Sequence, residues 1–425
     1  MISNENSSLN IKQNCSNFLK VPSVEVDPIM SIMQTYAACK SDDKINLTAG
    51  AYRTEDLKPY VFPSVRKAEK EVLIDNNNRY RGYMNPLGCE ELCKNLSLLF
   101  FGKEKYYNSI IKKNRLFSCQ SLSGTGALSL IAEFISKHGK DSQKTVYLPK
   151  PTWPNHQLIF TSCGLKVEEY NFYDHENLKI NFDYMTKFLN NANKGATILF
   201  HTCAFNPTGT DFNKEQWLEI VKLVKDKNLF TIFDTAYQGF STGDIEQDNY
   251  PIYLFLDYNV EFAIAQSLSK NMGMYGERTG GLHIVFNEQK DNQKLINKFK
   301  YYFSDIILSL YLTPVDHGAL IIKTVLEKYK EDWIKELKEV VNRVLEMRNL
   351  LYKELVKINC PGNWKIILDQ NGMFAYTGLS EKQCDYLINN KNLFLVKSGR
   401  INICGINKKN VSTIASFIKE AKLNA

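Results

Sequence analysis

The sequence predicts an α/β fold: a large domain with a mostly parallel, mixed sheet flanked by helices, plus a smaller α/β domain. Three observations carry this. Between residues 196 and 286, short apolar runs alternate with amphipathic segments, the pattern of parallel strands joined by helical crossovers. Polar residues collect at the C-terminal ends of those runs, where open α/β sheets bind ligands. After about residue 330 the texture changes, and at 425 residues two domains are the natural expectation.

The elements follow in order. Leu116–Cys119 is apolar and leads into SLSGTGAL (Ser121–Leu128), a small-residue turn, then a helical pattern, LSLIAEFI. Ala196–Phe205, ATILFHTCAF, reads as a buried strand. Asn213–Asn228 reads as a helix, with Trp217, Ile220, Val221 and Val224 on one face. Leu229–Tyr237, Glu261–Ser267 and Gly281–Phe286 read as strands. Asp332–Lys357 is one long helical pattern with a stripe of Ile334, Leu337, Val341, Val344 and Leu345. No internal repeat interrupts the chain.

Composition narrows the function classes. The net charge of +7 is dispersed, without Lys/Arg blocks, which favours a basic enzyme with anionic substrates over a nucleic-acid binder. The ten cysteines are scattered without a C-x-x-C pair, as expected of reduced thiols, and no metal site is expected. No stretch approaches the roughly 18 apolar residues of a membrane span. Residues 1–20 are polar, carry Glu5 and lack arginine, so a loose N-terminal extension on a cytoplasmic protein is expected.

The segment Ala265–Gly281, AQSLSKNMGMYGERTGG, is the most informative. Lys270 sits just past an apolar strand, where desolvation favours the neutral, nucleophilic amine. Ser267 and Arg278 are suited to a phosphate, one as a hydroxyl donor and one as a charged planar fork. A lysine that can hold an aldehyde beside phosphate ligands points to pyridoxal 5'-phosphate. An ordinary surface lysine at a strand end is the bland alternative.

Other residues carry paired readings. The turn Ser123-Gly124-Thr125 before a helix can present N–H groups and hydroxyls to a phosphate, or be a plain loop. Asp234 can cap or pair with a pyridinium nitrogen. Asn206, before Pro207, can mark a turn or donate to a ring phenolate. Trp153, between prolines, can pack in a core or stack on a planar ring. His156 alone reads as structural. Two hydrolase patterns also occur, S-x-x-K at Ser267–Lys270 and G-x-S-x-G at Gly239–Gly243. The first lacks S-D-N and K-T-G partners, and the second runs into a polar, proline-broken stretch.

Taken together, KINLTAGAYR, SLSGTGAL, LPKPTWPNH, HTCAFNPTGTDF, FDTAYQGF, SLSKNMGMYGERTG and SGRINICG resemble, in order, the pyridoxal-phosphate-dependent aminotransferases of fold type I, the aspartate aminotransferase family. The resemblance runs from Val21 to near the C-terminus. It implies a large domain at 61–329 and a small domain joining an N-terminal arm, 21–60, to residues 330–425. It implies transamination of aspartate with 2-oxoglutarate in a ping-pong cycle, in a homodimer with shared active sites. Lys270 would be the Schiff-base lysine and proton shuttle, and Asp234, backed by His156, would bind the ring nitrogen. Asn206 and Tyr237 would bond the ring oxygen, and Trp153 would stack on the ring. Ser123, Gly124, Thr125, Ser267 and Arg278 would hold the phosphate, with Tyr83 reaching the partner subunit's phosphate. Arg400 would grip the substrate α-carboxylate, helped by Gly50.

One departure stands out. The family places an arginine for the substrate's side-chain carboxylate before a Y-S-N-P-P-like segment. Here that segment is LSLYLTPVDHG, and Leu308 takes the arginine's place. Either another cation, such as Lys298 or Lys300, replaces it, or the substrate is aromatic or otherwise neutral. A cofactor-binding protein without turnover is a third reading, which intact Lys270, Asp234 and Arg400 oppose.

Overall fold

The computed structural model describes residues 28–74, 82–288 and 290–425. The expected N-terminal extension, residues 1–20, and the beginning of the arm lie outside them.

Seven strands form the central sheet: β1 (Leu116–Ser121), β2 (Thr145–Lys150), β3 (Lys166–Asn171), β4 (Thr197–His201), β5 (Phe230–Thr235), β6 (Phe262–Ser267) and β7 (Gly280–Val285). Their order is β1-β7-β6-β5-β4-β2-β3. Only β7 runs antiparallel, pairing Gly280 with Ser121 on one side and Ser267 on the other. The remaining pairings are parallel. The reversal matters, because the start of β7 lies at the edge where its neighbours end.

The inner strands β4, β5 and β6 are covered on both faces, which is why they read as mostly apolar runs, whereas the edge strand β3, KVEEYN, is largely exposed. Along β4, Leu199 packs on one face while Ile198 and Phe200 pack on the other. Helices Ser123–His138 and Asn292–Tyr311 close the first face, and Lys214–Asp226 lies on the second. The last is capped by Asn213, whose side chain accepts from the Gln216 N–H while Gln216 reaches back. Its predicted face, Trp217, Ile220, Val221 and Val224, is buried.

Two expectations shift in detail. The strand expected at Ala196–Phe205 stops at His201. Residues 202–205 leave the ladder because Ala204 and Phe205 give their N–H groups to the Asp211 carboxylate instead. The long helix runs Lys330–Lys357; Leu337, Val341 and Val344 are buried as expected, joined by Trp333, Val340 and Met347, while Ile334 and Leu345 lie at the margin.

The two ends of the described chain meet. Ile45–Asn46 pairs in parallel with Leu393–Phe394, and Phe374–Tyr376 pairs with Arg400–Asn402. Arg343 of the long helix donates to the carbonyls of Arg53, Thr54 and Ile406 and to the Glu55 carboxylate. This assembly stands at the C-terminal edge of the sheet and delivers Arg400 to it.

Candidate active site

One pocket at that edge gathers Ser123, Gly124, Thr125, Trp153, His201, Asn206, Asp234, Tyr237, Ser267, Ser269, Lys270 and Arg278. The fold explains the convergence. Asp234 and Ser267 lie at the ends of β5 and β6, and Asn206, Tyr237 and Lys270 follow β4, β5 and β6. Ser123 opens the helix after β1, and Arg278 precedes the reversed β7.

At one end the Ser123 Oγ lies 2.8 Å from Ser267 Oγ and 3.0 Å from Ser269 Oγ. Arg278 Nη1 donates to Ser269 Oγ at 3.4 Å. Ser123 and Arg278 both have positive φ, at 60° and 51°, conformations that cost non-glycine residues energy and cluster at binding sites. A Cβ on Gly124 would lie 3.3 Å from the Ser267 Cβ and 3.9 Å from Asp234 Oδ1, filling the floor between hydroxyls and acid. Three hydroxyls, a helix N-terminus and a guanidinium around an open floor suit a phosphate monoester.

At the other end a buried relay supports Asp234. Its Oδ2 lies 3.0 Å from His156 Nε2, His156 Nδ1 lies 2.9 Å from Thr152 Oγ1, and that hydroxyl lies 3.3 Å from His201 Nε2. The chain is consistent if His156 Nε2–H donates to the carboxylate and the Thr152 hydroxyl donates to Nδ1. Burial alone would push the Asp234 carboxyl up. The His156 hydrogen bond, with Lys270 nearby, outweighs it, and the carboxyl ends below its usual range. Burial holds His201 down at about 3, so it stays neutral. His156, His201 and Asp234 bring their ligand atoms within 4.8 Å of one another, as a metal site would, but these hydrogen bonds account for the grouping.

Lys270 is pushed down from the usual lysine range chiefly by burial, with Arg278 adding to that and Asp234 opposing it. Its Nζ lies 5.4 Å from the Tyr237 ring centroid. Burial raises Tyr237, keeping it a phenol. Trp153 packs edge-on against His156 at 5.2 Å and leaves its other surface to the pocket.

Arg400 closes the site from the second assembly. Its Nη1 donates to Asn206 Oδ1 at 3.2 Å, its Nη2 to the Thr48 carbonyl at 2.9 Å, and its guanidinium lies 4.2 Å from the Phe374 ring centroid. Because arginine only donates, Asn206 is oriented with Oδ1 toward Arg400, leaving Nδ2 as its donor. Gly50 borders this clamp: a Cβ there would meet the Phe374 ring at 3.0 Å.

Some expected residues are elsewhere. Tyr83 is 84% exposed and outside this chain's pocket. Leu308 is 45% exposed in the last turn of helix Asn292–Tyr311. Lys300 lines a separate surface cavity beside Asn85 and Ser118, and Lys298 is exposed on the same helix. Ser267 and Ser241 have no serine-hydrolase setting: Ser267 sits among hydroxyls, and Ser241 Oγ donates to the Asp211 carboxylate. Ser269, His201 and Thr152 belong to the site although sequence reasoning passed over them. The second serine of S-L-S-K, and a histidine ending a buried strand, were the available signals.

The cradle therefore fits pyridoxal 5'-phosphate: Ser123, Ser267, Ser269 and Arg278 would hold the phosphate, Lys270 would meet the aldehyde and Asp234 the ring nitrogen. Comparisons with known proteins agree. Residues 42–418 match the family model described as aminotransferase class I and II. A relative from Caenorhabditis elegans, a cytoplasmic aspartate aminotransferase, is 41% identical over 89% of this chain and 91% of its own. The solved aspartate aminotransferase from Saccharomyces cerevisiae cytoplasm superposes with a TM-score of 0.91 at 37% identity, covering 96% of this chain and 99% of that one. An aromatic-amino-acid aminotransferase from Burkholderia pseudomallei, solved covalently bound to pyridoxal phosphate, superposes at 0.90 with 31% identity, covering 96% and 100%.

Proposed function

The chain belongs to the class I and II aminotransferases, which depend on pyridoxal phosphate, and on that premise we propose that it transfers the amino group of L-aspartate to 2-oxoglutarate. One observation carries the reading: a buried lysine amine stands between a carboxylate and a phosphate cradle, with a guanidinium clamp across the pocket. When bound, the cofactor supplies an aldehyde to receive the amino group and a ring to draw electrons from the substrate α-carbon.

The residues then divide the work. Asp234, kept ionised by its relay, holds a proton at the ring nitrogen. Asn206 Nδ2 and the Tyr237 hydroxyl donate to the ring oxygen, and Trp153 covers the ring face. Arg400 grips the α-carboxylate and so orients the α-hydrogen toward Lys270. Lys270 Nζ, its basicity pushed down chiefly by burial, removes that proton and returns it. Amino acid and 2-oxo acid use the pocket in turn, because one Arg400 clamp serves both.

Three further parts complete the reading. Residues 61–329 act as the cofactor-bearing domain, and residues 21–60 with 330–425 as the domain that carries Arg400 onto the substrate. The protein works as a homodimer, because Tyr83, Leu308, Leu310, Leu312 and Val315 are exposed and apolar or aromatic, as an interface requires. The relatives named cytoplasmic favour a cytoplasmic setting, and among the described residues no helix is long and apolar enough to cross a membrane.

Leu308 favours a second reading, in which neutral or aromatic amino acids are preferred. The substrate profile of the purified protein separates the two. A kcat/KM for aspartate at least tenfold above that for phenylalanine is expected, and the reverse order would replace aspartate as the substrate.

A further inference from the structure

Behind Asn206, on the side away from the pocket, lies a carboxylate that the chemistry above does not use. Asp211 Oδ2 accepts from the Ala204 N–H at 2.9 Å, from Ser241 Oγ at 3.1 Å and from Asn371 Nδ2 at 3.2 Å. Its Oδ1 accepts from the Phe205 N–H at 3.1 Å. The two N–H groups belong to the residues immediately before Asn206. Ala204 has φ of 50°, a conformation an alanine holds only when its surroundings impose it.

The same carboxylate joins separate parts of the chain. Ser241 lies beyond Tyr237, the other ring-oxygen donor. Asn371 belongs to the segment that carries Phe374 beneath Arg400, and its backbone N–H also bonds the Gly209 carbonyl. That segment is anchored in turn by buried Arg348, which donates to the carbonyls of Ile367, Asn371, Gly372 and Phe374.

We infer that Asp211 is a positioning residue: it fixes the turn that aims Asn206 at the ring oxygen and ties that turn to the segment supporting Arg400. The charge is needed as well as the shape. Four donors converge on two oxygens, and an amide in this place would turn an N–H toward the N–H of Ala204 or of Phe205. This rests on the reading of Asn206 as the ring-oxygen donor.

The test uses the cofactor-loaded protein and follows the pH midpoint of its visible absorption, which reports hydrogen bonding at the ring oxygen. Asp211→Asn is expected to fold and bind cofactor but to raise the midpoint by about 0.5–1 pH unit, the loss of roughly one hydrogen bond. Asn206→Ala is expected to raise it too, and adding Asp211→Asn to Asn206→Ala is expected to change nothing further. An unchanged midpoint in Asp211→Asn, or additive shifts in the double variant, would overturn the inference. Should Asp211→Asn fail to accumulate, Ser241→Ala removes one donor from the same carboxylate. A smaller upward shift supports the inference, and none overturns it. A wild-type protein with no pH-dependent visible band would instead defeat the functional reading.

Discussion

The two halves of the pocket are built in different ways. The cofactor half is assembled from residues at the edge of one sheet: β5, β6, β7 and the turns beside them place Asp234, Ser267, Lys270 and Arg278. A stiff hydrogen-bonded ladder sets their spacing. The substrate half depends on segments that meet only in the finished fold: Arg400 arrives on a short strand, leans on Phe374 and touches Asn206. Leu308, which stands where the family's side-chain arginine is expected, is exposed on this chain. On the proposed reading, the difference separates chemistry, set by the sheet edge, from substrate binding, set by segments distant in sequence.

The largest test of that division is Lys270→Ala. Loss of the lysine amine that lines the pocket should lower kcat on the order of 10⁴-fold and abolish the covalent visible band, while circular dichroism stays unchanged. Retained turnover would break the division outright. Next in size, Arg400→Ala should lower kcat/KM for amino acid and oxo acid alike by about 10²–10³-fold, the cost of truncating one member of a buried charge pair. The visible band should remain. A lost band would show that the halves are not separable.

The smallest expected effect concerns stability. Burial is the main reason the Asp248 carboxyl is pushed up to about 7, with Thr242 and Ser241 opposing and Asp211 adding to it. In the unfolded chain this group titrates near 3.8. Between those values the unfolded chain has lost the proton and the folded chain keeps it, so rising pH disfavours folding across that window. Below about 4 the contribution is fully present, and above about 7 it is gone. Asp248→Asn should remove the dependence, so that its Tm rises relative to wild type by a few degrees from pH 4 to 7 and then levels off. A constant difference would place the carboxylate's proton elsewhere.

The same contrast governs what the sequence made legible. Strands buried on both faces read as continuous apolar runs, and the helix at Lys214–Asp226 showed both its face and its cap. Lys270, Asp234 and Arg278 were legible because each closes or opens such a run. Asp211, Arg348, Thr152 and His201 were not. Each works through hydrogen bonds to residues distant in sequence, and no local pattern of polarity marks a carboxylate that collects two backbone N–H groups. The stripe of the long helix was legible only in part for a related reason. Trp333 is buried because its indole N–H finds the Asn271 carbonyl, a partner from another element.

The pairing of Ile45–Asn46 with Leu393–Phe394 has a consequence for how the protein is made. The strand Ile45–Asn46 has no partner until Leu393–Phe394, nearly 350 residues later, has been synthesised. At about 5–20 residues per second, that wait is on the order of twenty to seventy seconds. The sheet, whose strands all lie between Leu116 and Val285, can form meanwhile; the support for Arg400 cannot. During synthesis, then, the residues of the cofactor floor are complete before those of the substrate clamp.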